Sequence, residues 1–146
     1  MEDAANNMLV KRVISPVSVS DNTAQVGQII DRQSFDMLTY LINIGSVADA
    51  DATFTALLEE SDASDMTGAA AVADADMISQ TPGTAPEAAA SFQFDSDNQV
   101  RKLGYIGNCR YTRLTITPAN NASAAVFAAL AVLEDPSMAP VTQSSS

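Results

Sequence analysis

The alternation of residue types between Tyr111 and Thr117 is the feature that most constrains how this chain can fold. A period of two is typical of a β-strand that has one face in the core. Pro118 ends this strand because proline has no N–H to donate to a neighbouring strand. The residues before Gly107-Asn108 are also rich in strand formers, so the stretch from Val100 to Asn121 predicts a β-hairpin that turns at this pair. The two sides of its second strand carry Tyr111, Arg113, Thr115 and Thr117, and Thr112, Leu114 and Ile116.

Turn signals divide most of the remaining chain into short stretches with strand composition. Residues 34–44 and 123–133 are apolar on both sides, which predicts central strands that are covered on both faces. The second of these is rich enough in Ala and Leu to form a helix, but its position after the Asn120-Asn121 turn favours a strand. The whole pattern predicts an all-β fold, a jelly-roll-like β-sandwich of about eight short strands.

The length of 146 residues is typical of one domain with its own core. Residues 1–20 predict an extended N-terminal arm, frayed or laid across a neighbouring subunit, because Pro16 interrupts their apolar pattern. Residues 21–135 form the predicted β-sandwich domain, with a long loop over residues 61–90 that contains one short element. Residues 136–146 predict a flexible C-terminal tail. We expect that deleting the arm leaves the sandwich folded.

Charge is strongly segregated along the chain, whose net charge is −11. No Lys or Arg lies between Gln33 and Val100, although twelve acidic residues do. A surface of this kind repels a phosphate backbone, which argues against nucleic acid as a direct partner. Two interpretations stay open: a solvated acidic surface that keeps the protein soluble, or an acidic middle that meets the basic segments of a neighbouring copy. The candidate interface residues are Met8, Leu9, Val10, Lys11, Arg12, Arg101, Lys102, Arg110 and Arg113.

The sequence carries little chemistry. It has no histidine, which excludes Ser-His-Asp and Cys-His nucleophiles and most zinc sites. Asp49, Asp51 and Glu60 have the spacing of a calcium loop, but Phe54 stands where that loop requires glycine. Cys109 is the single cysteine, and a packed structural side chain is favoured over a reactive thiol. We expect no enzyme activity, no cofactor and no metal.

Nothing in the sequence predicts contact with a membrane. No apolar run approaches 18 residues, and the first residues lack the basic-then-apolar order of a secretion signal. The protein is therefore expected to be made in a bacterial cytoplasm.

Four segments resemble, in the same order, a family of small proteins from tailed bacteriophages and prophages. They are residues 21–33, 48–60, 70–78 and 100–121, and the resemblance extends over roughly residues 21–135. It implies a structural virion protein, a capsid cement (decoration) protein on the outside of the phage head, in contact with the major capsid protein and often a homotrimer. The step from this resemblance to function is an analogy.

Two alternatives to a cement protein remain. One is a head-completion (connector) or tail-tube subunit of the same particle. The other is a virion-displayed module that binds host glycans, for which Tyr105 and Tyr111 are the candidate contacts.

Overall fold

The computed structural model describes residues 3–143, which form eleven β-strands, one short α-helix and three 3₁₀ turns. Within these residues no helix is both long enough and apolar enough to cross a membrane. The strands are β1 (Leu9–Val19), β2 (Gln25–Val26), β3 (Ile30–Asp31), β4 (Phe35–Val47), β5 (Thr53–Ser61), β6 (Ala70–Ala71), β7 (Met77–Ser79), β8 (Phe92–Gln93), β9 (Val100–Tyr105), β10 (Tyr111–Ala119) and β11 (Ala125–Pro136); helix α1 is Pro86–Ala90.

Two antiparallel sheets form a sandwich. Sheet A has the order β1-β11-β4-β9-β7, and sheet B has the order β2-β10-β5-β6, with β3 also on β10 and β8 also on β5. The pairs are nested, since β1 pairs with β11, β2 and β3 with β10, β4 with β9, and β5 with β8. This nesting is the arrangement of a jelly roll. The predicted fold class is therefore confirmed, and β6 and β7 extend the sheets at their edges.

The core lies between the two sheets. Residues of alternate parity on β4, including Tyr40 and Ile42, are fully buried against Leu114 and Ile116 of β10. A stacked pair of rings, Phe54 and Phe92 with centroids 4.9 Å apart, meets the edge of Phe127. The alternation that predicted β10 is thus confirmed, because Thr112, Leu114 and Ile116 are the buried side.

One buried hydrogen bond joins the two sheets. The hydroxyl oxygens of Tyr40 on β4 and Thr112 on β10 lie 2.6 Å apart, and both side chains are fully buried. Burial raises the pKa of Tyr40, so its hydroxyl stays protonated and available to the bond. The bond lets two polar groups occupy an otherwise apolar core.

The predicted hairpin between β9 and β10 is wrong. β9 pairs with β4 and β7 in sheet A, whereas β10 pairs with β5, β2 and β3 in sheet B. Residues 106–110 therefore carry the chain from one sheet to the other. A Cβ atom on Gly107 would lie 2.5 Å from the Tyr105 hydroxyl, so glycine at this position allows the close approach of that ring.

The separate N-terminal arm is also wrong. Its extended conformation was predicted correctly, but Leu9–Val19 is β1, which pairs with β11 as an edge strand of sheet A. Val13, Ile14 and Val19 are part of the core. The arm was missed because its pairing partner is more than 100 residues away along the chain, where no local pattern can indicate it.

The segment between β5 and β9 and the C-terminal segment are largely irregular. Residues 62–99 hold two of the 3₁₀ turns, helix α1 and three strands of two or three residues. The loop predicted over residues 61–90 therefore contains β6, β7, a 3₁₀ turn and α1, where one short element was expected. Residues 137–143 contain no helix or strand, and the Val141 N–H donates to the carbonyl of Asn6. The remainder of the predicted flexible tail, residues 144–146, lies outside the described residues.

Thr112→Val should reduce the free energy of unfolding by about 1–3 kcal/mol, because it leaves the buried Tyr40 hydroxyl without a partner. Thr117→Val on the same strand, where the side chain is exposed, is the matched control and should change stability by about 0.5 kcal/mol or less. Urea denaturation followed by circular dichroism measures both. Equal losses for the two variants would contradict a stabilising role for this bond.

Deleting residues 1–20 should now prevent folding of the sandwich, contrary to the expectation from sequence, because the deletion exposes β11 and removes three core residues. A chain that ends at Pro136, which keeps every strand, is the control and should fold. Far-ultraviolet circular dichroism and gel filtration measure the outcome. A soluble, cooperatively unfolding product of the N-terminal deletion would show that β1 is dispensable.

Candidate interaction surface

The outer face of sheet A, which we call the apolar face, is the most unusual surface of the molecule. The side chains of sheet A that point away from the core are mostly large and apolar. Their exposed fractions run from 38% to 57%, whereas the inward-facing residues beside them are almost fully buried. The exposed members are Val10, Met37, Ile78, Val100, Ile106, Val126 and Leu130.

The strand register arranges these side chains in rows that cross the sheet. A central row runs from β7 to β1 and carries no charge: Ile78, Gly104, Thr39, Val132 and Val10. On one side lies a basic row, in which Lys102 and Arg12 flank Leu41 and Leu130. On the other side lies an acidic row, in which Glu134 pairs with Met37. A basic row, an uncharged central row and an acidic row thus follow one another along the strands.

Two shallow depressions interrupt the apolar face. The larger, of about 600 Å³, lies over β4 and β9, and its charged lining residues are Asp36, Lys102 and Glu134. Gly104 has no side chain and so leaves space in this depression. A Cβ atom at this position would lie 3.0 Å from the Cβ atom of Ile78. The second, of about 410 Å³, lies beside Gly45 and Val126. The face therefore offers relief into which apolar side chains of a partner can fit.

Sheet B shows the contrasting, ordinary arrangement of a solvated outer face. Threonines such as Thr55 and Thr117 alternate with buried residues there. Arg113 donates to Glu59 on the neighbouring strand at 3.2 Å. The large apolar residues Leu57, exposed to 36%, and Val26, exposed to 60%, lie on either side of Thr115 on this face. Single exposed apolar residues are normal on soluble proteins, whereas a continuous apolar sheet face is not.

The predicted basic residues of the second half do not form one patch. Arg110 donates two hydrogen bonds to Asp31, at 2.9 and 2.8 Å, and its guanidinium lies 5.0 Å from the centre of the Tyr111 ring. The hydrogen bond from Arg110 holds the pKa of Asp31 below its usual value. Arg113 points out of sheet B, and Lys102 lies on sheet A. Lys102 and Arg113 are close in the sequence but belong to different sheets.

The remaining candidate residues also have different surroundings. Arg101 donates to Gln99 at 2.6 Å and to Ser96 at 3.0 Å, which anchors it at the start of β9. Leu9 packs against the core, and Met8 and Lys11 are half-buried. Of the nine candidates, the structure brings Val10, Arg12 and Lys102 together on the apolar face. The proposed contact between the acidic middle and a basic hairpin loses its basis, because that hairpin does not form.

The apolar residues of this face, such as Met37, Leu41, Leu130 and Val132, were not among the predicted interface residues. The signal was present in the two strands that are apolar on both sides. We interpreted these as central strands that are covered on both faces. β4 and β11 are indeed central strands of sheet A, but the described part of the chain covers only their inner face.

Tyr105, one of the two candidate glycan contacts, and Cys109 lie in one hydrogen-bonded cluster between the sheets. The Tyr105 hydroxyl donates to Glu60 at 2.6 Å and accepts from the Cys109 N–H at 3.0 Å. The Arg32 guanidinium lies over the Tyr105 ring, and its Nε donates to the Cys109 carbonyl. Tyr105 is 2% exposed, so its ring cannot serve as a platform for a sugar. Burial and the charges of Glu60 and Asp62 raise the pKa of Cys109, which disfavours the reactive thiolate.

Three acidic residues that are close together in the sequence, Asp49, Glu59 and Glu60, occupy positions in a turn and a strand and do not form one site. Glu59 and Glu60 follow one another on β5 and so point to opposite faces. Asp49 accepts backbone hydrogen bonds from Asp51 and Ala122, which fixes the turn before β5. Among residues 3–143, no group of three or more His, Cys, Asp or Glu side chains is placed to hold a metal ion.

Comparison with known proteins finds distant similarity to solved structures. No protein-family model matches the sequence, and no curated protein is significantly similar to it. The fold is similar to a solved structure of a family two carbohydrate esterase from Cellvibrio japonicus, with a TM-score of 0.42 and 10% identity over 94% of this chain. The matched region is 33% of that chain, so this protein spans about a third of its length. A similarity this low says nothing about what the present chain binds or does.

Proposed function

We propose that this chain is a structural subunit of a tailed-phage particle, a cement (decoration) protein that binds the outside of the head and stabilises contacts between capsomers. The observation that carries the proposal is the apolar face. A sheet that is apolar on both sides belongs in an assembly, where another protein surface covers the face that its own chain leaves open.

The size of the apolar face supports an assembly role. Five strands spaced about 4.8 Å apart and about eight residues long cover roughly 650 Å². The largest apolar patch on a typical monomeric protein is about 300–600 Å² and is often functional. The sheet face that carries the apolar residues is therefore about as large as the largest apolar patches on monomeric proteins, which are often functional.

Charge favours the outer surface of the head. The chain has a net charge of −11, and packaged DNA presents a dense array of phosphates on the inner side of a shell. An acidic protein on the inner side of the shell would be repelled by these phosphates. The outside of the shell carries no such penalty, and the resemblance to small phage proteins implies the same location.

Repetition would make weak contacts sufficient for a cement role. A protein that occupies many equivalent positions on a shell adds the same contact at each of them, and contacts within one assembly act at high effective concentration. Each subunit then needs only modest affinity to resist expansion of the shell by the pressure of the DNA. A rigid β-sandwich suits this role, because little ordering is required on binding.

A connector or tail-tube subunit is the alternative within the same particle, and copy number distinguishes the two. A cement protein is present in numbers close to those of the major capsid protein, whereas a connector ring holds about a dozen copies. The glycan-binding alternative has no support from the described residues, because Tyr105 is buried and the Tyr111 ring lies under Arg110.

Purified protein should cosediment with capsids that lack it, at a copy number within a small factor of that of the major capsid protein. Binding should also raise the temperature at which filled heads release their DNA, because added contacts oppose expansion of the shell. Densitometry of protein gels and a dye-release melt measure the two effects, with protein sedimented alone as the control. Absence of binding, or binding of only about a dozen copies per particle, would contradict a cement role.

A further inference from the structure

We propose that the apolar face is covered by a second copy of this chain, related to the first by a twofold axis that runs along the central row of the face. The proposal uses the surface that carries the proposed function, and it names the partner that meets that surface. It does not depend on whether the resulting pair binds a capsid.

The order of the rows makes the face self-complementary in charge. The acidic and basic rows lie at equal distances on the two sides of the uncharged central row, at Met37 and Leu41 on either side of Thr39. A half-turn about the central row places the acidic row of one copy over the basic row of the other. Arg12 then meets the partner copy's Glu134 one strand away.

These charges have no equivalent contact within one chain. Arg12 pairs in register with Leu130, so Glu134 lies four residues further along the next strand, about 14 Å away. The ion pairs formed by residues 3–143 are Arg110 with Asp31 and Arg113 with Glu59, both away from this face. An intermolecular partner would therefore gain contacts that the monomer does not make.

The charge of the face differs from that of the chain as a whole. The charged residues of its rows are Arg12, Lys102 and Glu134, whereas the chain carries −11. Two copies can therefore approach through this face with most of their acidic residues directed elsewhere, which lowers the electrostatic cost of association.

The area is also sufficient. Roughly 650 Å² from each copy amounts to about 1,300 Å² in total, which is within the range of stable protein interfaces. Aligned packing of two sheet faces is a common arrangement, with side chains from each face filling the spaces of the other. A twofold contact uses the same patch twice and closes on itself, which gives a pair and not a fibre.

The first test compares two matched leucines. Purified protein should sediment as a dimer, and Leu130→Glu should raise the dimer dissociation constant by about tenfold or more, because it places a carboxylate opposite the partner copy's Glu134 at both symmetric positions. Leu57→Glu changes a leucine of similar exposure on the outer face of sheet B and should leave the dimer unchanged. Analytical ultracentrifugation measures association, and circular dichroism checks that both variants fold.

The second test uses charge reversal at the rim of the interface, where neither side chain contributes to the core. Arg12→Glu alone and Glu134→Arg alone should each weaken the dimer, because like charges then meet at both symmetric positions. An equimolar mixture of the two single variants should form a heterodimer, because each copy supplies the charge that the other requires. A mass difference introduced by a tag on one variant identifies the mixed pair.

The outcomes separate this proposal from the cement role. A monomer at about 100 µM, a trimer, or a dimer that is insensitive to Leu130→Glu would overturn the twofold contact. So would failure of the mixed variants to associate. A monomer that still binds capsids would retain the proposed function without this contact. A dimer with no affinity for capsids would retain the contact and remove the cement role.

Discussion

The pairing of β4 with β11 is the constraint on which the rest of the structure depends. These two long strands lie next to each other in sheet A, and they pair from Phe35 with Pro136 to Val47 with Ala125. Because successive residues on a strand point to opposite faces, this one register decides both surfaces of the sheet. Residues of one parity, such as Tyr40 and Ala131, form the core, and residues of the other parity form the apolar face.

Side-chain size, not polarity, selects this register. Both parities of β4 and β11 are apolar, so a slip by one residue would still bury apolar side chains, and hydrophobicity alone specifies the pairing weakly. The inner side of β11 instead carries small residues opposite large ones, with Ala131 across from Tyr40 and Ala129 across from Ile42. After a slip by one residue, Leu130 or Val132 would take the place of Ala131 opposite Tyr40 and would be too large for the space beside its ring. The hydrogen bond between Tyr40 and Thr112 would then be lost. Close packing thus supplies the specificity that binary patterning does not.

Local patterns predicted the strands well, since alternation and turn residues act over a few positions. The alternation predicted from Tyr111 to Thr117 is present, although β10 continues through Pro118 to Ala119, and the ambiguous Ala-rich segment is the strand β11. The pairing partners were predicted poorly, because pairing in a jelly roll joins distant parts of the chain. The turn signal at Gly107-Asn108 was real, yet it marks a crossing between sheets. The same residue pair suits a tight hairpin, so the sequence alone does not distinguish the two connections. The apolar face was missed for a different reason: a strand that is apolar on both sides has the same sequence whether its own chain or another chain covers it.

The edges of sheet A explain why the apolar face is the surface left for assembly. β1 is a long edge strand, and an exposed edge of this kind can pair with another chain. Here its register is shifted twice, between Arg12 and Val17, and Pro16 removes one donor. The Gln28 N–H donates to the Val13 carbonyl and so occupies part of this edge. The opposite edge, β7, has only three residues. Growth of the sheet by added strands is thus hindered at both edges. Association is therefore directed to the outer face of the sheet, where two flat surfaces that cover each other form a closed pair.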